Sequence, residues 1–211
     1  MLFRSREQDA ISVILPITQT ETTNRGVLSH IAKIYDPLGL ASPVMLIGKQ
    51  LYCDICDNKI PWGTQLPGPL RNSALTENLT VPLAIAPYHQ PISSLTLHAF
   101  GEASAKGVSA AVYAIVHQDK VVIQQLVFAK SRLAKKNLTI PRLELVAGHM
   151  AVNLVTNVHA ALNFLPHEAH CWLDSTAALY WIKGKGEYRQ FVSNKVHKIQ
   201  QHDQVKWHHG R

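Results

Sequence analysis

The pattern of apolar and polar positions changes character near Pro91. Upstream, the run Ile11 to Ile17 reads as a strand. Val27, Leu28, Ile31, Ile34 and Tyr35 recur at helical spacing and predict a short helix, ended by the turn Asp36-Pro37-Leu38-Gly39. Ser42 as N-cap, with Pro43 at the first helical position, predicts a second helix to about Asp57 with Val44, Ile47, Leu51 and Ile55 on one face. Residues Ile60 to Pro91 hold six of the eleven prolines and read as an extended connector, with a short helix near Pro69 to Leu75.

Downstream, alternation dominates. Leu95 to Phe100, Val108 to Val116 and Val121 to Ala129 are three closely linked strands, which predicts an antiparallel meander. Pro141 opens a long helix with Leu145, Met150, Leu154 and Val158 as core candidates. Ala169 to Leu173 is a fourth strand. Helices over Thr176 to Lys183 and Tyr188 to Gln201 follow, the second with Phe191, Val192, Val196 and Ile199 inward, and Gln204 to His209 is a fifth strand. The order βββ-α-β-α-α-β predicts an α/β fold with a mixed sheet. The expected division is a small, mostly helical region over 1–91 and an α/β domain over 92–211.

Composition narrows the function classes. The 211 residues carry a formal net charge of +7, which favours an anionic partner, nucleic acid first. No apolar run approaches the roughly 20 residues that a membrane-spanning helix needs, and the N-terminus is a poor signal peptide. Three cysteines make no disulfide framework and point to a reducing, intracellular compartment. Cys53 and Cys56 form a lone CxxC pair; a zinc site needs about four ligands, so they read as helix residues one turn apart. The N-terminal strand starts without a visible cap, as in a piece of a longer protein.

Three acids stand where chemistry gathers in α/β sheets. Glu102 follows the first strand of the meander, Glu144 opens the long helix, and Asp174 ends the fourth strand. If the first and fourth strands are neighbours, Glu102 and Asp174 share one rim. Clustered carboxylates repel, and Mg²⁺ or Mn²⁺ would relieve them; two such ions activate water for phosphodiester cleavage. Simpler roles stand beside this one: Glu144 facing a helix dipole, Asp174 as a capping acid, Glu102 as a turn residue.

The motifs LHAFGEAS, FAKSRLA, LTIPRLEL, CWLDSTAALYWIKG and FVSNKV resemble, in order, the ribonuclease H domain of BEL/Pao-type LTR retrotransposon polyproteins. RGVLSHIAKIYDPLGLASPV resembles the segment after the reverse transcriptase palm, so the resemblance runs from about Asn24 to His209. It implies a ribonuclease H-like five-stranded mixed sheet with helices on both faces, and a thumb- or connection-like segment before it. It also implies two-metal hydrolysis of the RNA strand of an RNA–DNA hybrid, with Glu102, Glu144 and Asp174 as catalytic and metal-binding acids. Ser104 and Ser175 would orient those acids, or serve as turn and N-cap residues. The rest of a Pol polyprotein is the implied protein partner. No YxDD-like pair occurs, so polymerisation by this chain is not expected.

Two departures bear on activity. The first acid of the family is Asp in a phrase resembling F-x-D-A-S, whereas this chain has Glu102, one bond of about 1.5 Å longer. The resemblance also implies a fourth acid beyond Trp207-His208-His209, and no acid follows there in this sequence. Lys130, Arg132, Arg142, Lys183, Arg189 and Lys195 are candidate phosphate contacts. Trp181 has the helical spacing of a core residue. The competing reading is a non-catalytic nucleic-acid-binding or interaction module left by a decayed retroelement.

Overall fold

A computed structural model describes residues 2–5, 10–13, 23–66, 79–82, 85–88, 90–162 and 168–210. They form two compact units, Met1–Leu83 and Ala84–Arg211. In the first unit, strands β1 (Leu2–Ser5), β2 (Ala10–Val13) and β3 (Leu79–Pro82) make an antiparallel sheet in that order. The stretch read as an extended connector thus supplies an edge strand, where proline is tolerated. Residues 14–17 of the first predicted strand and the short helix near 69–75 lie outside the described residues.

Helices α1 (Asn24–Ala32) and α2 (Ser42–Asp57) complete this unit. Thr23 caps α1, its Oγ1 accepting from the Gly26 N–H at 3.1 Å. Ser42 does not cap α2 as expected. Ala41 holds the N-cap position without a side-chain bond, and the Asp36 carboxylate accepts from the N–H groups of Leu40 and Ala41, both at 2.8 Å. The apolar face is also rotated. Gly48 and Ile55 are buried and Ile47 is exposed, because Gly48 lies against Ile31, whose Cγ1 would stand 3.2 Å from an added Cβ. Cys53 and Cys56 lie on α2 as free thiols.

The second unit is a five-stranded mixed sheet in the order β6-β5-β4-β7-β8. Strands β4 (Ile92–Ala103), β5 (Gly107–Gln118) and β6 (Val121–Leu133) form the antiparallel meander, and β7 (Glu168–Leu173) and β8 (Val205–His209) run parallel to β4. The buried Gln118 amide donates to the carbonyls of Tyr88 at 2.9 Å and Gln90 at 2.7 Å, which ties the residues just before β4 to this unit. The meander strands are longer than their alternation predicted. Glu102 lies inside β4, paired with Ser109, and Lys130 and Arg132 lie on β6.

Gly101 reads as a strand end but is a packing residue. A Cβ there would stand 2.9 Å from the Ala147 carbonyl oxygen and 2.9 Å from Leu173 Cδ2. Gly148 is equally tight against Leu173 Cδ1, at 2.9 Å. These small residues let helix α3 (Ile140–Ala161) settle against β4 and β7, with its own Leu145, Ala147, Ala151, Val152 and Val155 fully buried.

Helices α4 (Thr176–Lys183) and α5 (Gln190–Gln200) pack on α3, so the three helices of this unit share one face of the sheet rather than dividing between two. On the opposite face β4, β7 and β8 present a ladder of rings. His98 stacks on His170 at 4.9 Å, Trp172 stacks on His208 at 4.5 Å, and Trp172 Nε1 donates to His98 Nδ1 at 3.1 Å. Trp181 is partly buried against the core, as its spacing predicted.

Candidate metal centre

The sheet register brings the first two acids together. Phe100 of β4 faces Trp172 of parallel β7, so Glu102 and Asp174, each two residues further on, emerge at one edge of adjacent strands. The close approach of α3 at Gly101 and Gly148 brings Glu144 to the same edge. One carboxylate oxygen from each of the three acids lies within 4.8 Å of the others. Among the described residues no other group of three His, Cys, Asp or Glu side chains gathers this way.

The three acids differ in setting. Glu102 and Asp174 are exposed, whereas Glu144 is 3% exposed. The Ala103 N–H is shared between Glu144 Oε1 at 3.2 Å and Glu102 Oε1 at 3.3 Å. Glu144 Oε2 is buried with no hydrogen-bond partner in the protein. Burial, then the nearby charges of Asp174 and Glu102, push the Glu144 pKa up to about 7, against the pull of the Ala103 N–H.

An orphaned carboxylate oxygen facing two further carboxylates fits a hard divalent cation. The ion would give Oε2 a partner and cancel the mutual repulsion, and the all-oxygen donor set suits Mg²⁺ or Mn²⁺. No sequence signal pointed to the Ala103 N–H or to the unpaired oxygen, because both arise where β4 meets α3.

The serines have local roles. Ser104 Oγ accepts from the N–H groups of Lys106 and Gly107, both at 3.2 Å, and fixes the β4–β5 turn. Ser175 Oγ accepts from the Ala178 N–H at 3.2 Å and caps α4.

The basic candidates do not form one group. Lys130 and Arg132 project from β6, and Arg142 opens α3 with its guanidinium 5.7 Å from the Phe191 ring centre. Lys195 lies on α5, where burial and then the nearby positive charges of Lys198 and Arg132 hold its pKa below the usual lysine value. Arg189 is the N-cap of α5, and Lys183 ends α4 beside Tyr180 and His209.

The model of the Pao retrotransposon-like RNaseH-like domain matches residues 23–175, well over half of the chain. The chain belongs to this family. The Pao-type match begins in the first unit and ends one residue after Asp174, so it takes in all three acids. No curated protein matches the chain.

Among solved structures, RNase H1 from the halophilic archaeon Halobacterium salinarum NRC-1 is 15% identical, with 56% of this chain and 86% of that chain covered and a TM-score of 0.35. LC11-RNase H1, isolated from compost and solved with an RNA/DNA hybrid, is 14% identical over 56% of this chain and 85% of that one, with a TM-score of 0.36. The foamy viral protease-reverse transcriptase in complex with double-stranded DNA is 12% identical, with 92% of this chain and 33% of that chain covered and a TM-score of 0.49. By its family match the Pao-type chain carries an RNase H-like domain of a retrotransposon family, and its second unit has a five-stranded mixed sheet with flanking helices. Among the described residues no helix is long and apolar enough to cross a membrane.

Proposed function

We propose that the second unit is a metal-dependent nuclease that hydrolyses the RNA strand of RNA–DNA hybrids, at a reduced rate. The observation that carries this reading is the carboxylate trio around the unpaired Glu144 Oε2. Glu102, Glu144 and Asp174 would hold Mg²⁺ or Mn²⁺, which when bound supplies a lowered-pKa water and neutralises charge on the cleaved phosphate. Glu144, with its raised proton affinity and its fixed bond from Ala103, suits the positioning of a water and its proton. The net positive charge supports a nucleic-acid substrate. Membership of an RNaseH-like family supports an RNA–DNA hybrid as that substrate, and the retrotransposon character of the family supports residence in a longer polyprotein.

The reduced rate follows from Glu102. Its side chain is one bond longer than the Asp that the family motif carries, and a misplacement of about 1 Å costs roughly a hundredfold in rate. The test is cleavage of a labelled hybrid with Mg²⁺ and with Mn²⁺, for the native chain and for Glu102→Asp. Slow cutting that Glu102→Asp accelerates is expected. Absence of cutting by both, with fold and hybrid binding intact, overturns the enzyme reading. A second reading, a non-catalytic nucleic-acid-binding module, is favoured by one observation: Glu102 Oε1 folds back onto its own neighbour's N–H, the same one that Glu144 uses.

A further inference from the structure

The five-stranded sheet has two edges, and they are finished differently. β8 is five residues long and carries the exposed Lys206. Shortness and a lysine are both protections against pairing with another chain. β6 is thirteen residues long, and among the described residues no strand pairs on its outer side. Its second half carries Lys130 and Arg132. Its first half, Val121 to Leu126, has no charge, no proline and no glycine.

A bulge separates the halves. Val112 pairs with Phe128 and Tyr113 with Leu126, so Val127 is the extra residue. Upstream of it the register is regular down to the turn, where Gln118 pairs with Val121. Asp119 and Lys120 form a two-residue turn, with Asp119 at a φ of 48°. Such a turn closes with the Val121 N–H donating to the Gln118 carbonyl. Antiparallel bonding alternates along a strand. Val121, Ile123 and Gln125 therefore bond inward to β5, and Val122, Gln124 and Leu126 turn their N–H and C=O groups outward. The side chains of Val122, 52% exposed, and Gln124 also face solvent.

We propose that this edge is where a second copy of the chain adds, antiparallel, across a two-fold axis at Gln124. The outward row is self-complementary in that register. Val122 of one copy meets Leu126 of the other, twice by symmetry, and Gln124 meets Gln124. Opposed outward residues exchange two backbone bonds each, and the glutamine amides both donate and accept. The apolar contact continues inward, because Leu126 pairs with Tyr113 and Tyr113 packs on Phe100, both exposed. Charge selects the occupant. Each copy carries +7, so two copies come together at least cost where both are neutral. Lys120 and Lys130 fall outside the paired segment, and no lysine meets its counterpart. An acidic partner would be drawn to the lysines, not to a row without charge. The paired segment is shorter than the roughly 20–30 residues a side of a standard interface, so the association is weak and reversible.

The test is sedimentation equilibrium of the full chain without nucleic acid, from roughly 5 to 500 μM, with amide hydrogen exchange at both ends of that range. A monomer–dimer equilibrium is expected. It tightens between about 0.05 and 0.5 M salt, because screening relieves the repulsion between like-charged copies. Nucleic-acid binding weakens over the same range, which separates the two effects. Exchange at Val122, Gln124 and Leu126 slows at the high concentration. Val122→Lys places a charge on each side of the axis and is expected to weaken the dimer at least about tenfold, whereas Val122→Thr changes it less than about threefold. Gln124→Pro removes an outward N–H and is expected to abolish the dimer while the ladder to β5 stands. It serves as the second variant should the lysine variant misfold. A chain that stays monomeric throughout overturns the proposal. So does a dimer that Val122→Lys and Gln124→Pro both leave intact, or one that slows exchange elsewhere and not along this row. None of these results bears on the hydrolase reading, which the cleavage assay tests alone.

Discussion

Helix α3 separates two regions with opposite electrostatic deficits. On one side Glu144 joins Glu102 and Asp174, three carboxylates whose oxygens lie within 4.8 Å of one another. On the other, Leu143 and Val146 line a wall where Arg132, Lys135 and Lys195 meet with no acid among the described lining residues. Adjacent helical residues point about 100° apart, so Leu143 and Glu144 serve the two regions from one turn. The protein does not pair these charges with each other. Under the proposed function the acidic region would take up a divalent cation. The acidic side also buries one of its members, and burial makes its deficit the more costly of the two.

Three experiments would break or sharpen this contrast. The largest effect belongs to Asp174→Asn, which removes one charge from the acidic side. Hybrid cleavage is expected to fall at least about a hundredfold, while hybrid affinity in metal-free buffer changes by less than about twofold, because the basic side is untouched. A matching fall in metal-free affinity would mean that the two regions are not separable.

Gly101→Ala is next. The added Cβ meets the Ala147 carbonyl oxygen and Leu173 Cδ2, each at 2.9 Å, and overpacking of this kind costs about 1–3 kcal/mol. Because the clash pushes α3 off β4, Mn²⁺ affinity measured by calorimetry is expected to drop more than hybrid affinity measured without metal. Unchanged Mn²⁺ affinity would show that the close approach at Gly101 does not set the spacing of the acids.

The smallest effect is a pH dependence of stability. The folded-state pKa of Glu144 is raised from 4.5 to about 7, so its contribution to stability is complete below about 4.5 and is lost as pH rises through about 7. In metal-free buffer the melting temperature of the native chain, relative to Glu144→Gln, is expected to fall across that window. Mn²⁺ added above pH 7 should recover the loss in the native chain and not in the variant. A flat difference between the two proteins would remove Glu144 as a strained carboxylate.

Much of this was legible in the sequence, and the parts that were not have physical reasons. Alternation located every strand of the second unit because each places one side on a helix-covered core. It cut β4 short at Gly101, since a glycine required by a neighbouring backbone is indistinguishable in sequence from a glycine that ends a strand. Ser42-Pro43 marked the start of α2, but Ser42 does not cap it; the Asp36 carboxylate instead holds the N–H groups of Leu40 and Ala41 just before the helix, an interaction through a turn that local preferences do not weigh. The three acids stood out by position. Their differences in burial, and the unpaired oxygen of Glu144, did not.

The sequence by itself determined the family, the order of elements and the identity of the acids, because these depend on residue type and spacing along the chain. Only the tertiary structure decided which oxygen lacks a partner, that the three described helices of the second unit share one sheet face, and that Arg132, Lys135 and Lys195 line one concavity. Burial and charge proximity are properties of distances between residues far apart in the chain, and those distances exist only once α3 has settled on β4.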